Sequence, residues 1–313
     1  MLLKSYLEKL DYKNKPEFIN KYLKVPSLIR LQKVGYFCGM EHASKNVYYF
    51  QEYITRYAHS VTVALITWKL THNKNMTLAG LFHDIATPCF SHVIDYMNKD
   101  YETQESTEEY TEEILKNDTY LMKCLEEDGI NLEDISDFKK YSIVDIERPG
   151  VCADRLDGII LTGISWTKRL NKEKIDRILD DLIICKNENN IDEIGFKTES
   201  IANLVLNESK NMDAYCHFNY DNYMMELLAE ITRTAINKEI ITYEDLYYFN
   251  EDQLFEILDS CGDCYINRLL YLFRNIKKSD IPDINLKNVK PRKLDPLVKG
   301  RRISNLNKEE LCR

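Results

Sequence analysis

The sequence predicts an all-α fold with a short extended tail, on three observations. Glycine (10) and proline (7) are scarce for a chain of 313 residues, so few positions interrupt a helix. Apolar residues recur at helical spacing over long stretches. No internal repeat and no Gly/Ser linker breaks the pattern, so residues 1–313 read as a single domain. Its parts are a core at about 25–175, a helical extension at about 176–278 and an extended basic tail at about 279–313.

The elements follow in order. Val61, Ala64, Leu65 and Trp68 place a helix over about 55–70. Thr77 is a candidate cap for a second helix through Leu78, Leu81 and Phe82. Glu105, Glu108, Glu109 and Glu112 share one helical face, with Tyr110 and Ile114 on another. Pro149 marks a helix start leading into Val151, Leu156, Ile159 and Ile160. Residues 213–237 and 251–275 read as amphipathic helices, with Thr242 capping a short one between them. A soft spot falls at 187–190. Pro282, Pro291 and Pro296 forbid a continuous helix across 280–300, which leaves extended chain or short strands.

Composition narrows the function classes. An apolar fraction of 44% and a charged fraction of 30% are those of an ordinary soluble globular protein. No run of about 18 uncharged apolar residues is present, so no membrane span is expected. Charges interrupt the first fifteen residues too early for a secretory signal, and the expected location is cytoplasmic. The nine cysteines lack paired spacing and read as reduced thiols. Cys261 and Cys264 have the spacing of half a zinc ribbon, but no second pair follows. A net charge of −9 argues against general nucleic-acid binding. The charge is uneven: residues 100–113 carry seven acids and no base, whereas 287–302 hold seven bases against Asp295. That basic segment suits an anionic small molecule or a partner subunit's acidic face, or is a solvated tail.

Among the six histidines, three sit in apolar helical segments beside a carboxylate or hydroxyl. His59 lies in Arg56-Tyr-Ala-His-Ser60, His83 precedes Asp84, and His92 follows Ser91. Downstream, Asp154 interrupts an apolar helical stretch. His42 and His72 lie in polar contexts and are expected at the surface. Imidazole nitrogens with carboxylate oxygens suit Mn, Fe, Ni or Zn as divalent ions. Two histidines and two aspartates leave positions open, so such an ion can polarise a P–O bond and lower the pKa of water. Adjacent His83 and Asp84 diverge on a regular helix, so sharing an ion requires a helix end near Thr87-Pro88. Each residue alone has a plainer account: a histidine on an apolar helix face is commonly a core residue, and Asp154 has Arg155 and Arg148 as ion-pair candidates. The ordered combination carries the argument.

That combination resembles the HD superfamily, and within it the branch of the deoxynucleoside triphosphate triphosphohydrolases. Arg56-Tyr-Ala-His-Ser60 is similar to its R-[FY]-x-H-S opening, His83-Asp-Ile-Ala-Thr-Pro-Cys-Phe-Ser-His92 to its H-D-[IL]-G-H-x-P-F-S-H element, and Asp154-Arg-Leu-Asp157 to its D-[RK]-x-D segment. Weaker similarities at Arg30-Leu31, Ala214–His217 and Lys290–Pro296 extend the match over roughly 20–305. The resemblance implies an HD-domain helical fold and a divalent metal ion (Mn, Fe, Ni, Zn or Mg) on His59, His83, Asp84 and Asp154. It implies phosphate contacts for Arg56 and Arg155, and a substrate hydrogen bond for His92. Enzymes of this type often form homo-oligomers.

Several positions depart from the pattern. Thr87 and Gln104 replace two histidines that assist catalysis in the family, leaving Glu105 and Asp84 as the expected catalytic carboxylates. Gly158 replaces an aromatic residue, and Thr162 an acid, in the region that helps hold the nucleotide sugar. The expected activity is metal-dependent hydrolysis of a nucleotide or related phosphate ester through an activated water. The alternative is a catalytically degenerate HD module that binds a nucleotide as a sensor.

Overall fold

The helix that carries His59 begins where its cap demands. The Thr55 side chain accepts a hydrogen bond from the Ala58 amide at 3.1 Å, satisfying one of the free amides at the start of α4 (Arg56–Thr71). Ten residues of α4 are buried, so it is a central helix rather than a surface one. In this computed structural model, which describes residues 1–102, 110–284, 286 and 289–306, the helices gather around it.

Before it come α1 (Leu2–Lys9) and the short α2 (Ile19–Tyr22) and α3 (Pro26–Arg30). After it, α5 (Lys74–Phe82) packs along α4, and α6 (Val93–Asn98) follows a tight turn. The cap of α5 is Asn73, whose side chain accepts from the Met76 amide at 3.0 Å. Thr77, the expected cap, lies inside the helix and turns its hydroxyl back to the Asn73 carbonyl at 2.7 Å. Next are α7 (Thr111–Asn117), α8 (Thr119–Asp128) and α9 (Glu133–Ser136), then α10 (Ala153–Ser165), which crosses α4 and brings Asp154 to it. The acidic face at 105–112 lies largely outside the described residues.

α11 (Lys172–Asp181) leads into a hairpin inside the segment expected to be helical. β1 (Leu182–Lys186) pairs antiparallel with β2 (Asp192–Phe196), Leu182 opposite Phe196 and Lys186 opposite Asp192. The expected soft spot at 187–190 is the hairpin turn, where Asn187 Oδ1 accepts from the amides of Asn189 and Ile191, both at 3.0 Å. The expected helices at 213–237 and 251–275 are each divided. α12 (Glu199–Cys216) stops before α13 (Asn219–Asn237). The short α14 (Asp245–Tyr248) precedes α15 (Glu251–Ser260), which is parted from α16 (Cys264–Asn275) by Gly262 at φ +70°, a conformation that favours glycine. The tail is extended, as its prolines require. β3 (Leu297–Val298) lies parallel to β2, and β4 (Arg301–Arg302) pairs back on β3.

The architecture is therefore mostly helical, with a small four-stranded sheet. One continuous apolar core unites the helices from Tyr6 to Ile303. Among the described residues, no helix is long and apolar enough to cross a membrane.

Candidate metal centre

α5 ends at Phe82, so His83 and Asp84 leave the helix and turn toward α4. A metal-compatible cluster results: His59, His83 and Asp154 each bring a ligand atom within 4.8 Å of the others. His59 Nε2 lies 3.1 Å from Asp154 Oδ1 and 3.2 Å from His83 Nε2, and His83 Nε2 lies 3.6 Å from Asp154 Oδ1. Asp84 completes the ring, with Oδ2 3.5 Å from His59 Nε2 and Oδ1 3.7 Å from His83 Nε2. Ligands about 2.1 Å from one ion stand about 3.0–3.4 Å apart in octahedral or tetrahedral arrangements, close to these spacings.

The hydrogen bonds behind the rings decide what the cluster can hold. His83 Nδ1 lies 2.8 Å from the Gly80 carbonyl, which can only accept, so Nδ1 carries a proton. His59 Nδ1 lies 2.7 Å from Asp157 Oδ2, and Asp157 also accepts from the Tyr6 hydroxyl at 2.5 Å. In neutral rings both Nε2 lone pairs then face one point, between two carboxylates. A divalent cation fits that donor set. Asp157 stands behind His59 as an orienting carboxylate instead of joining the ring as an extra ligand.

The charges agree. Burial disfavours the His59 cation, but Asp154, Asp157 and Asp84 outweigh it and raise its pKa to about 10. Burial likewise opposes ionisation of Asp154 and Asp84. The neighbouring histidines, with Arg56 for Asp84, nonetheless hold both well below the usual carboxylate range.

The cluster opens into a cavity of about 730 Å³. Arg56, expected at phosphate, lines it but spends Nη1 on Asp84 at 2.9 Å and Nε on Ser91 at 3.1 Å, so it also fixes a ligand. Arg155 donates to Asp145 at 2.9 Å and to the Gly150 carbonyl at 3.1 Å. His92 lines the same cavity, its Nδ1 held by Asp95 at 2.9 Å. Thr87 is buried on the wall. Glu105 and Gln104 lie outside the described residues. Arg30 holds the turn after α5 from below, bonding the Ile85 and Thr87 carbonyls at 3.2 and 2.7 Å. His217 stands outside the cavity and pins the tail, with Nε2 3.3 Å from the Val289 carbonyl. His42, expected at the surface, is half-buried with Nε2 3.0 Å from the fully buried Glu251.

Among the other lining residues, Lys290 and Arg292 belong to the basic segment and the Lys290–Pro296 similarity noted in the sequence, whereas Lys139 and Arg148 had no motif to announce them. Lys139, Arg148, Lys290 and Arg292 join Arg56 and Arg155 on the wall. Burial first, and then repulsion from Arg155 and Arg292, brings the Arg148 guanidinium down to about 10. Arg292 comes from the tail, whose backbone is tied to Asp213 at 2.6 Å and to the Pro149 carbonyl at 3.0 Å. Away from the cluster the wall is aromatic: Phe37 stacks on Phe50 at 4.5 Å, Phe50 on Tyr48 at 5.6 Å, and Trp166 closes against both. Asp221, bonded by the Tyr48 hydroxyl at 2.6 Å, is the acid of that end. A second metal-compatible group, Asp145, Cys152 and Asp154, adjoins the first, but the Arg155 guanidinium already neutralises Asp145.

Residues 56–158 match the HD domain family, and that span contains every member of the cluster. The chain is 28% identical over 205 residues to YdhJ, an uncharacterized protein of Bacillus subtilis (strain 168). The match takes in 64% of this chain and 60% of YdhJ, so it spans less than two thirds of that relative. A hypothetical protein from Aquifex aeolicus superposes with a TM-score of 0.59 at 19% identity, over 82% of this chain and 71% of that one. A phosphohydrolase from Bacteroides thetaiotaomicron gives 0.54 at 14% identity, over 83% and 73%. At these identities the structural likeness is one of fold.

Proposed function

From an HD domain whose histidines and aspartates converge in an arginine-lined cavity, we propose that this protein is a metal-dependent phosphohydrolase acting on a nucleotide or related phosphate ester. The observation that carries it is the shared cavity: a cation-compatible cluster, three mutually repelling guanidiniums and an aromatic box open into one space. Crowded guanidiniums call for an anion, and their planar donors match phosphate oxygens.

His59, His83, Asp84 and Asp154 would hold the ion, which when bound supplies Lewis acidity and eases the ionisation of water. Arg148, Arg155 and Arg292, with Lys139 and Lys290, bind and orient the phosphate oxygens. Arg56 keeps Asp84 aimed at the cluster. His92 donates to phosphate, and Glu105 serves as base toward the attacking water. Phe37, Phe50 and Trp166 offer stacking area for a nucleobase, and Asp221 beside them meets its polar edge or a sugar hydroxyl. The resemblance to the triphosphohydrolase branch makes deoxynucleotides the first substrates to try.

The test pairs metal analysis of the purified protein with a phosphate-release screen over nucleotides, using wild type beside a His83→Ala, Asp84→Ala double variant. Bound metal and turnover that both disappear in the variant are expected. Metal without turnover on any phosphate ester would favour the sensor reading, to which Thr87 in place of a catalytic histidine lends weight. Failure to bind Mn²⁺, Fe²⁺, Ni²⁺ or Zn²⁺ after reconstitution would overturn the metal centre itself.

A further inference from the structure

We propose that Tyr36 is a catalytic residue of this site: its phenolic hydroxyl, lodged against the bare Cα of Gly158, donates a hydrogen bond to the phosphoryl group under attack. The inference rests on the hydrolase reading above.

Three sets of contacts fix the ring beside the cluster. The Tyr36 amide donates to the Ile54 carbonyl at 3.0 Å, tying its loop to the residues just before α4. Its ring centroid lies 5.0 Å from that of His59, and the Arg56 guanidinium sits 4.8 Å above its face. Phe37 meets it edge-on at 5.2 Å. Tyr36 is thus clamped between one ligand and the arginine that holds another.

The hydroxyl end is set by an absence on α10. Gly158 lies four residues after Asp154, on the same helix face. A Cβ at 158 would stand 2.7 Å from the Tyr36 hydroxyl oxygen, too close for both to keep their places. Glycine costs a helix interior up to about 1 kcal/mol relative to alanine, and here it leaves the volume the hydroxyl occupies. The tyrosines around this core use their hydroxyls inside the protein: Tyr6 on Asp157 at 2.5 Å, Tyr48 on Asp221 at 2.6 Å, Tyr96 on Asn222 at 2.7 Å. Tyr36 lines the cavity, and its hydroxyl makes no hydrogen bond to a described residue. The hydroxyl is open to the cavity rather than sealed in the core, so its partner is something the cavity admits.

A phenol stays protonated at neutral pH, its ordinary pKa being about 10, so Tyr36 acts as a donor. In the hydrolysis, the water oxygen bonds to phosphorus and the P–O bond to the alcohol breaks. The alcohol receives the proton that water gives up. Tyr36 keeps its own proton and stabilises charge on a phosphoryl oxygen as the bond order changes.

The experiment uses metal-loaded, full-length protein. Tyr36→Phe keeps the ring contacts and removes the one oxygen. Expected are unchanged metal content, unchanged Tm, and a fall of about 100-fold in kcat and kcat/KM together, as for loss of one transition-state donor. Gly158→Ala supplies the second arm. Its Cβ displaces the hydroxyl, so it slows the wild type but leaves the Tyr36→Phe rate unchanged, a non-additive pair. Wild-type rates in Tyr36→Phe, a loss accompanied by lower Tm or metal content, or additive effects at 36 and 158 would each overturn the role while leaving the hydrolase reading intact. Metal-bound wild type that hydrolyses no phosphate ester would overturn both.

Discussion

Asp157 belongs to the motif that first pointed to this site, yet its carboxylate meets the wrong ring nitrogen to be a ligand. It is fully buried, accepting from the Tyr6 hydroxyl and facing His59 Nδ1, so it fixes which nitrogen of His59 turns to the cluster. Orienting carboxylates of this kind typically govern metal affinity by about 10- to 100-fold. Asp157→Asn is therefore expected to lose metal to a competing chelator at a concentration lower by about that factor; an unchanged competition curve would sink the assignment. The same residue shows how the sequence could be read and where reading stopped. His59, His83, Asp84 and Asp154 stood out in the sequence because the short stretches that hold them resemble the motifs of the HD superfamily. Tyr36, Arg148, Arg292 and Asp221 reach the cavity from loops, the tail and α13, and no local pattern distinguishes one tyrosine among 21. Glu105 remains an assignment from sequence.

Elements rather than single residues explain why Asp154 stands where it does. Glu193 on β2 is fully buried and accepts from the Val151 amide at 3.0 Å, just before α10 begins. Arg302 on β4 reaches the same carboxylate with two nitrogens, at 2.6 and 2.8 Å. The tail is thereby fastened through the hairpin to the start of the helix that presents Asp154. Arg302→Ala would leave the Glu193 charge buried without its partner, a loss of about 3–5 kcal/mol, read as a clear drop in Tm. The Glu193→Gln, Arg302→Met double variant should recover much of it, because no isolated charge then remains; a double variant no better than Arg302→Ala would argue against this account. The hairpin of β1 and β2 was the part of the fold that periodicity missed, whereas the prolines of the tail had already called for extended chain or short strands there. Leu182–Lys186 opens on a short apolar run that spacing alone cannot separate from a helix, and β3, which extends the hairpin by pairing with β2, lies about a hundred residues further along the chain. Helix content was legible, but breaks at His217 and Gly262 depend on packing and a single positive φ.

At the scale of the whole molecule, a chain of net charge −9 places six arginines and lysines around one cavity and buries several acids in and beyond its wall. Asp221 is the clearest of these. Burial lifts its pKa to about 7, against the opposing pull of the Tyr48 hydroxyl, Arg292 and His217. Glu41, buried near Glu251, is lifted to about 7 for the same first reason. An acid near 3.9 in the unfolded chain and about 7 in the native one holds its proton longer when folded. Below about pH 4 both states are protonated and the group is neutral in the balance. Between about pH 4 and 7 the unfolded state releases the proton first, so stability falls as pH rises. Above pH 7 the penalty is complete and constant. Asp221→Asn keeps the size and an acceptor for Tyr48 but cannot ionise. With metal-loaded proteins, whose ligand titrations are common to both, the Tm of this variant minus that of wild type should grow from pH 5 to 7 and then level off. A difference that stays constant across the range would show that the burial of Asp221 is not what this fold trades against pH.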